Sequence, residues 1–171
     1  ARDGVELAGG DTTHGDRLTL SVTVLGLCPA GSVRRRGDAR EGDLIAVTGD
    51  LGKSWAGLEL FRAGKQEQGC VHPFLEPRCR SDVVPLLAPH VHALIDVSDG
   101  LASEVRHMAG SSGLGAEVEA SAVPMAQTTR DAGALLDKDP LVWALSGGED
   151  FELAFSCDRE GFDRIVEAGV D

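Results

Sequence analysis

Ala93-Leu94-Ile95-Asp96-Val97-Ser98-Asp99-Gly100-Leu101 carries an apolar run straight into an acidic glycine turn and then into a helical pattern. Residues 93–97 are predicted as a strand, and Leu101, Val105 and Met108 recur at helical spacing after it. Residues two apart on a strand share a face, so Asp96 and Ser98 point to one side at the strand end. Asp99 enters at a helix N-terminus, where free N–H groups and the helix dipole favour an anion. A purely structural reading stands beside this one, with Asp99 as a helix cap and Asp96 as a solvated strand-end charge.

Two further turns have the same chemistry: Gly9-Gly10-Asp11-Thr12-Thr13 and Ser146-Gly147-Gly148-Glu149-Asp150. Carboxylates on tight glycine turns, with hydroxyls one or two residues away, are hard oxygen ligands on a backbone open to close approach. Such a site suits magnesium ions that neutralise phosphate. In the first turn Asp11 is a candidate magnesium ligand, and Gly10 admits a phosphate to the backbone; an ordinary turn built from Gly, Asp and Thr is the other reading. In the third, either a glycine floor presents Glu149 to a pocket or a loop simply precedes a buried strand. Gly49-Asp50-Leu51-Gly52-Lys53-Ser54 ends like a phosphate-binding loop, but the first glycine that loop requires falls on Val47, so a true P-loop is rejected.

Outward from these turns, Leu18, Leu20, Val22 and Val24 alternate with Thr19, Ser21 and Thr23, which predicts a half-buried strand. The basic run Arg34-Arg35-Arg36 precedes a composition shift at Gly37, placing a domain boundary between 1–36 and 37–171. Residues 44–48 read as a strand. A helix follows, with Ser54 as its cap, Trp55, Leu58 and Phe61 on its apolar face, and Gly64 as its stop. Residues 69–78, with Pro73 and Pro77, read as a loop, and 79–88 as a helix. A strand over 114–119, a polar helix over 126–136 and a strand over 151–156 follow; Asp158 then caps a last helix with Phe162, Ile165 and Val166 inward. Helices and strands alternate imperfectly, so the fold class is α+β, or mixed α/β.

The formal charge of −12 over 171 residues excludes a broad basic face for nucleic acid. No stretch approaches the ~20 apolar residues of a membrane span. Cys28, Cys70, Cys79 and Cys157 are scattered and read as reduced structural thiols. Cytoplasmic residence is the expectation. His14, His72, His90, His92 and His107 lack ligand spacing, except that His90 and His92 share a strand face. No Ser-His-Asp or Cys-His arrangement emerges.

Taken in order, the turns resemble those of thiamine-monophosphate kinase, in the superfamily of aminoimidazole ribonucleotide synthetase. The resemblance runs from the first turn through Arg35-Arg36-Gly37, Gly42-Asp43, Val47-Thr48-Gly49-Asp50-Leu51-Gly52, Pro77-Arg78 and Asp96-Val97-Ser98-Asp99-Gly100-Leu101. It ends at Ala144-Leu145-Ser146-Gly147-Gly148-Glu149-Asp150-Phe151-Glu152-Leu153, the block most particular to the kinase. It implies the end of an N-terminal α/β domain with most of a C-terminal α+β domain, and ATP-dependent, magnesium-assisted conversion of thiamine monophosphate to the diphosphate. By analogy Asp11, Asp96 and Asp99 are metal ligands, Gly10, Asp11, Arg35 and Ser98 contact ATP, and Glu149 faces the thiamine substrate. Phosphoryl transfer rests on positioning and charge neutralisation, which agrees with these residue types.

The family also carries metal-binding aspartates before the first turn and an aromatic substrate contact beyond this C-terminus, so this chain is expected to be a fragment with little or no activity alone. The resemblance further implies a homodimer when intact. A related ATP-dependent synthetase or cyclase, and a non-catalytic magnesium-nucleotide-binding or assembly fragment, are the alternative functions.

Overall fold

The computed structural model describes residues 4–65 and 71–170, without the side chains of Val71 and His72. The described chain divides between Val33 and Arg34 into two units. In the first unit no residue from 4 to 33 is helical or strand-paired. The alternation of Leu18, Leu20, Val22 and Val24 predicts a half-buried strand, but all four side chains are at least 73% exposed. A strand requires a neighbour for its backbone groups and a layer to cover its apolar face, and the described residues of this unit supply neither.

The second unit is built on a three-stranded sheet of β1 (Leu44–Val47), β2 (Ala93–Asp96) and β3 (Leu153–Cys157). Its order is β1-β3-β2, with β3 antiparallel to both neighbours. Val47 pairs with Ala154 and Asp96 with Leu153, so β1 and β2 end where β3 begins. The chain segments following β1 and β2 and the one preceding β3 are thereby gathered at one end of the sheet.

Period-two alternation explains why both faces are covered. Ile45, Val47, Ala93, Ile95 and Ala154 join a core with Leu101, Val105 and Met108 of α4 (Leu101–Ser112) and Ala144 of α6 (Pro140–Ser146). Ala46, Leu94, Leu153, Phe155 and Cys157 join another with Leu87 of α3 (Val84–Leu87) and Ile165 of α7 (Arg159–Glu167). A third cluster unites Ala56 and Leu60 of α1 (Lys53–Arg62) with Ala132 of α5 (Gln127–Leu136) and Trp143 of α6. Helices on both sides of a small antiparallel sheet make this an α+β architecture.

Several local expectations are corrected. Residues 71–75 form a short helix, α2, where a loop is expected; Pro73 lies in its first turn, where the missing N–H has no helical partner to lose. The expected helix over 79–88 shrinks to α3, preceded by a turn. Residues 114–119 are not strand-paired. The helix α6 falls in a stretch for which no element is predicted, and Asp139 caps it by accepting from Leu141 N–H at 2.9 Å. In α1 the buried face is Ala56, Gly57 and Leu60, while Phe61 is exposed; in α7, Val166 is exposed and Ile165 buried. Asp158 does cap α7, accepting from Gly161 N–H at 2.7 Å.

Asp43 ties the far end of the sheet together. Its carboxylate accepts from Arg40 N–H (2.9 Å), Ser156 Oγ–H (2.8 Å) and His92 Nδ1–H (2.9 Å). His92 Nε2 is then left to accept from Arg40 Nη1 at 2.9 Å, so this histidine is structural. Burial pushes the Asp43 carboxyl up, but the hydrogen bonds from Arg40, Ser156 and His92 outweigh it and hold it below the ordinary 3.8. A depressed pKa gives stabilisation that is present above 3.8 and lost as pH falls through the lower, folded value. The stability advantage of the wild type over Asp43→Asn in urea unfolding should therefore shrink as pH is lowered through this range; an advantage independent of pH would contradict the assignment.

Cys28, Cys79 and Cys157 are free thiols, and Cys70 lies outside the described residues. Burial, with Asp43 and Asp158 nearby, pushes the Cys157 thiol up to about 11. Iodoacetamide at neutral pH should label exposed Cys28 and Cys79 and spare Cys157 until the protein unfolds, as read by peptide mass spectrometry.

Candidate active site

The second and third acidic turns meet at the end of the sheet where β2 stops and β3 starts. Val97 N–H donates to Glu152 O (2.7 Å), Phe151 N–H to Val97 O (3.0 Å) and Glu149 N–H to Ser98 O (2.8 Å). These bonds continue the β2–β3 ladder into the two turns and fasten Ser98 to Glu149 through the backbone. Gly148 has φ +71°, and a Cβ there would strike the Ser98 carbonyl oxygen. Gly100, at φ +95°, lies so close to the carbonyl of Leu145 that a Cβ would sit 2.6 Å from its oxygen. The glycines are therefore required by close backbone approach as well as by conformation.

Glu149 and Phe151 are also left-handed, at φ 60° and 52°. For residues with a side chain this conformation costs about 1–2 kcal/mol each. Such strain persists only where surrounding contacts impose it, as the zipped backbone does here.

Asp96, Asp99 and Glu149 are exposed, and Ser98 is half-buried. The three carboxylates make no hydrogen bond or ion pair among the described residues. Asp99 is not the cap of α4. Its own N–H instead donates to the buried Glu104 carboxylate at 3.1 Å, which leaves the Asp99 side chain uncommitted. Two free carboxylates and a hydroxyl, beside the start of a helix of 12 residues, suit part of the shell of a hard cation carrying phosphate. Among the described residues no three metal-ligating side chains converge, so Asp96 and Asp99 by themselves would make only part of such a shell.

Gly10 and Asp11 lie in the first unit, exposed, with Asp11 Oδ1 accepting from Thr12 N–H at 2.8 Å. Arg35 lies in the second unit with an exposed side chain.

The Gly49–Ser54 stretch explains itself in the structure. Gly52 N–H and Ser54 N–H donate to the two carboxylate oxygens of Asp150, at 2.7 and 3.0 Å. A carboxylate of this chain thus occupies the α1 N-terminus, where a P-loop would hold phosphate. Gly52, not Ser54, is the N-cap, and the capping oxygens come from Asp150. Burial pushes the Asp150 carboxyl up, against the lowering effect of those two N–H groups and of Lys53.

One supporting group was not read from the sequence. Glu152 is buried and accepts from Arg80 Nη1 and Thr48 Oγ1, each at 2.6 Å, while Leu153 N–H donates to Thr48 Oγ1 at 3.0 Å. An acidic residue between Phe151 and Leu153 in a buried strand start was the available signal, since a buried carboxylate needs partners. Two cavities, of about 680 and 700 Å³, are lined by Arg34, His92 and Arg164 and by the free edge of β1; Asp96, Ser98, Asp99 and Glu149 line neither.

Residues 40–160 match the AIR synthase related protein, C-terminal domain, and the chain belongs to that family. Within it, the chain is 38% identical over 158 residues to the thiamine-monophosphate kinase of Salmonella typhimurium, covering 89% of this chain and 48% of that protein. The kinase of Methanopyrus kandleri is 37% identical over 170 residues, covering 98% of this chain and 54% of its own length. The chain thus spans about half the length of the curated relatives it matches. Among solved structures, thiamine-monophosphate kinase from Stenotrophomonas maltophilia K279a superposes with a TM-score of 0.73 at 30% identity, over 81% of this chain and 46% of that one. A structure described as AaThiL complexed with AMPPCP and TMP gives 0.70 at 34% identity, over 74% of this chain and 42% of that one.

Replacing Gly148 by Ala should cost more than the roughly 1–2 kcal/mol of the left-handed conformation alone, because the new methyl meets the Ser98 carbonyl. Urea unfolding measures this; a loss within about 0.5 kcal/mol, the size of a neutral surface change, would mean that the two turns are not in such close contact.

Proposed function

We propose that this chain is part of an ATP-dependent kinase that phosphorylates thiamine monophosphate to thiamine diphosphate with magnesium ions. The carrying observation is the Glu149 N–H to Ser98 O bond, which joins the turn bearing Asp96, Ser98 and Asp99 to the turn bearing Glu149. Uncommitted carboxylates for a metal-bound polyphosphate and a carboxylate for the acceptor substrate thereby stand side by side. The similarity to AaThiL complexed with AMPPCP and TMP supports the same pair of ligands.

In this reading Asp96 and Asp99 hold magnesium and Ser98 contacts ATP. Gly10, Asp11 and Arg35 complete the nucleotide side, and Glu149 faces thiamine monophosphate. The ions would offset the repulsion between two phosphate groups. What the chain's own residues contribute is position: the strand end fixes Asp96, the backbone bond fixes Ser98 relative to Glu149, and the α4 N-terminus adds a positive dipole end. In-line transfer between oxygens depends on such placement more than on a strong base. The domain assignment of 1–36 and 37–171, a homodimeric complete enzyme and cytoplasmic residence belong to the same proposal. No helix among the described residues is long and apolar enough to cross a membrane.

Incubating the 171-residue chain with Mg-ATP and thiamine monophosphate should give little or no thiamine diphosphate, because Asp96 and Asp99 would make only part of a metal shell. Robust turnover would sink the fragment reading. Calorimetry with magnesium and a non-hydrolysable ATP analogue should show weaker binding for Asp96→Asn than for the wild type. Equal binding would remove Asp96 from the metal site.

A further inference from the structure

We infer that Asp150 is the positioning residue for Glu149, locking the third turn by clamping it onto the N-terminus of α1; the functional half of this inference rests on the kinase reading above. Asp150 stands between the two left-handed residues, Glu149 and Phe151. Neither of them favours that conformation, so something beyond local preference must hold the turn. On one side it is held by the Glu149 and Phe151 N–H bonds to Ser98 O and Val97 O. On the other side, the Asp150 carboxylate spans Gly52 N–H and Ser54 N–H, 98 and 96 residues away in sequence.

The donors are well suited to this. The first N–H groups of a helix have no intrahelical partner, and a carboxylate there is favoured by the dipole. Gly52, at the cap position, has no side chain to offer. The α1 N-terminus is itself fixed, because Leu51 N–H donates to Pro124 O at 2.9 Å and Leu51 is fully buried. The third turn is therefore anchored at both sides, which fixes the backbone from which Glu149, the one exposed carboxylate among these contacts, projects. Removal of the Asp150 carboxylate frees Glu149 and Phe151 to relax toward ordinary backbone angles. Glu149 then turns away from the position it holds beside Ser98.

A residue that merely capped α1 would affect stability alone, so the test pairs Asp150→Ala with Asp158→Ala. The control removes a comparable carboxylate cap from α7, at the opposite end of β3. Amide hydrogen exchange, read by NMR on the 171-residue chain, should quicken at Glu149 and Phe151 in Asp150→Ala and stay unchanged there in Asp158→Ala. If Asp150→Ala does not fold, Asp150→Asn, which keeps one acceptor oxygen, carries the same measurement. Titrating thiamine monophosphate while following the Glu149 amide should show affinity reduced by about tenfold in the Asp150 variant, the scale expected for loss of a positioning contact, and unchanged in the control. Unaltered exchange at Glu149 and Phe151, or an equal loss of affinity in both variants, would overturn the inference. A wild-type chain that does not respond to thiamine monophosphate counts against Glu149 as a substrate contact in this chain, and the exchange comparison still decides whether Asp150 holds the turn.

Discussion

The backbone contact between Ser98 and Glu149 is the constraint on which the candidate site depends. It places an N–H and a carbonyl from segments about 50 residues apart at 2.8 Å, inside a ladder that begins in β2 and β3. Such an approach leaves no room for a side chain at Gly148, and it imposes left-handed angles on Glu149 and Phe151. The local strain is small beside what the gathered sheet contributes through burial on two faces. The result is a hydrogen-bonded floor from which three uncommitted carboxylates project.

The layers behind that floor follow from strand alternation and helix periodicity acting together. β3 lies between β1 and β2, antiparallel to both, and its two faces are covered: Ala154 clusters with residues of α4 and α6, Phe155 and Cys157 with residues of α3 and α7. Buried polar groups at each end of the sheet are partnered. Glu152 holds Arg80 and Thr48 near the site, and Asp43 holds His92 and Ser156 at the far end. Removing one partner from either group would strand a buried polar atom, which costs more than the bond itself contributes.

Much of this was legible residue by residue. The strand–turn–helix unit at 93–108 is local, and its apolar spacing is unambiguous; β2 and α4 formed where the pattern placed them. Asp158 capped α7 because a cap acts within three residues of itself. Failures came where the deciding partner was distant. Ser54 looked like a cap, but the α1 N-terminus takes its oxygens from Asp150. Asp99 looked like a cap, but Glu104 reaches back to its N–H. Residues 18–24 alternate like a strand, yet alternation supplies no pairing partner, and their apolar side chains remain exposed. Short α2 and α6 were missed because proline at a helix start resembles proline in a loop.

The sequence by itself determined which residues are the candidates for chemistry: aspartates and a glutamate on glycine turns, in an order that resembles the thiamine-monophosphate kinases. It determined the faces of the strands too, since alternation is written into neighbouring residues. Only the tertiary structure decided that β3 enters between β1 and β2, so that the second and third turns share one end of the sheet. It also decided that Asp150 belongs to α1 and Glu152 to Arg80. Periodicity specifies what a segment must bury, whereas the identity of its neighbour depends on how all the covered faces fit at once.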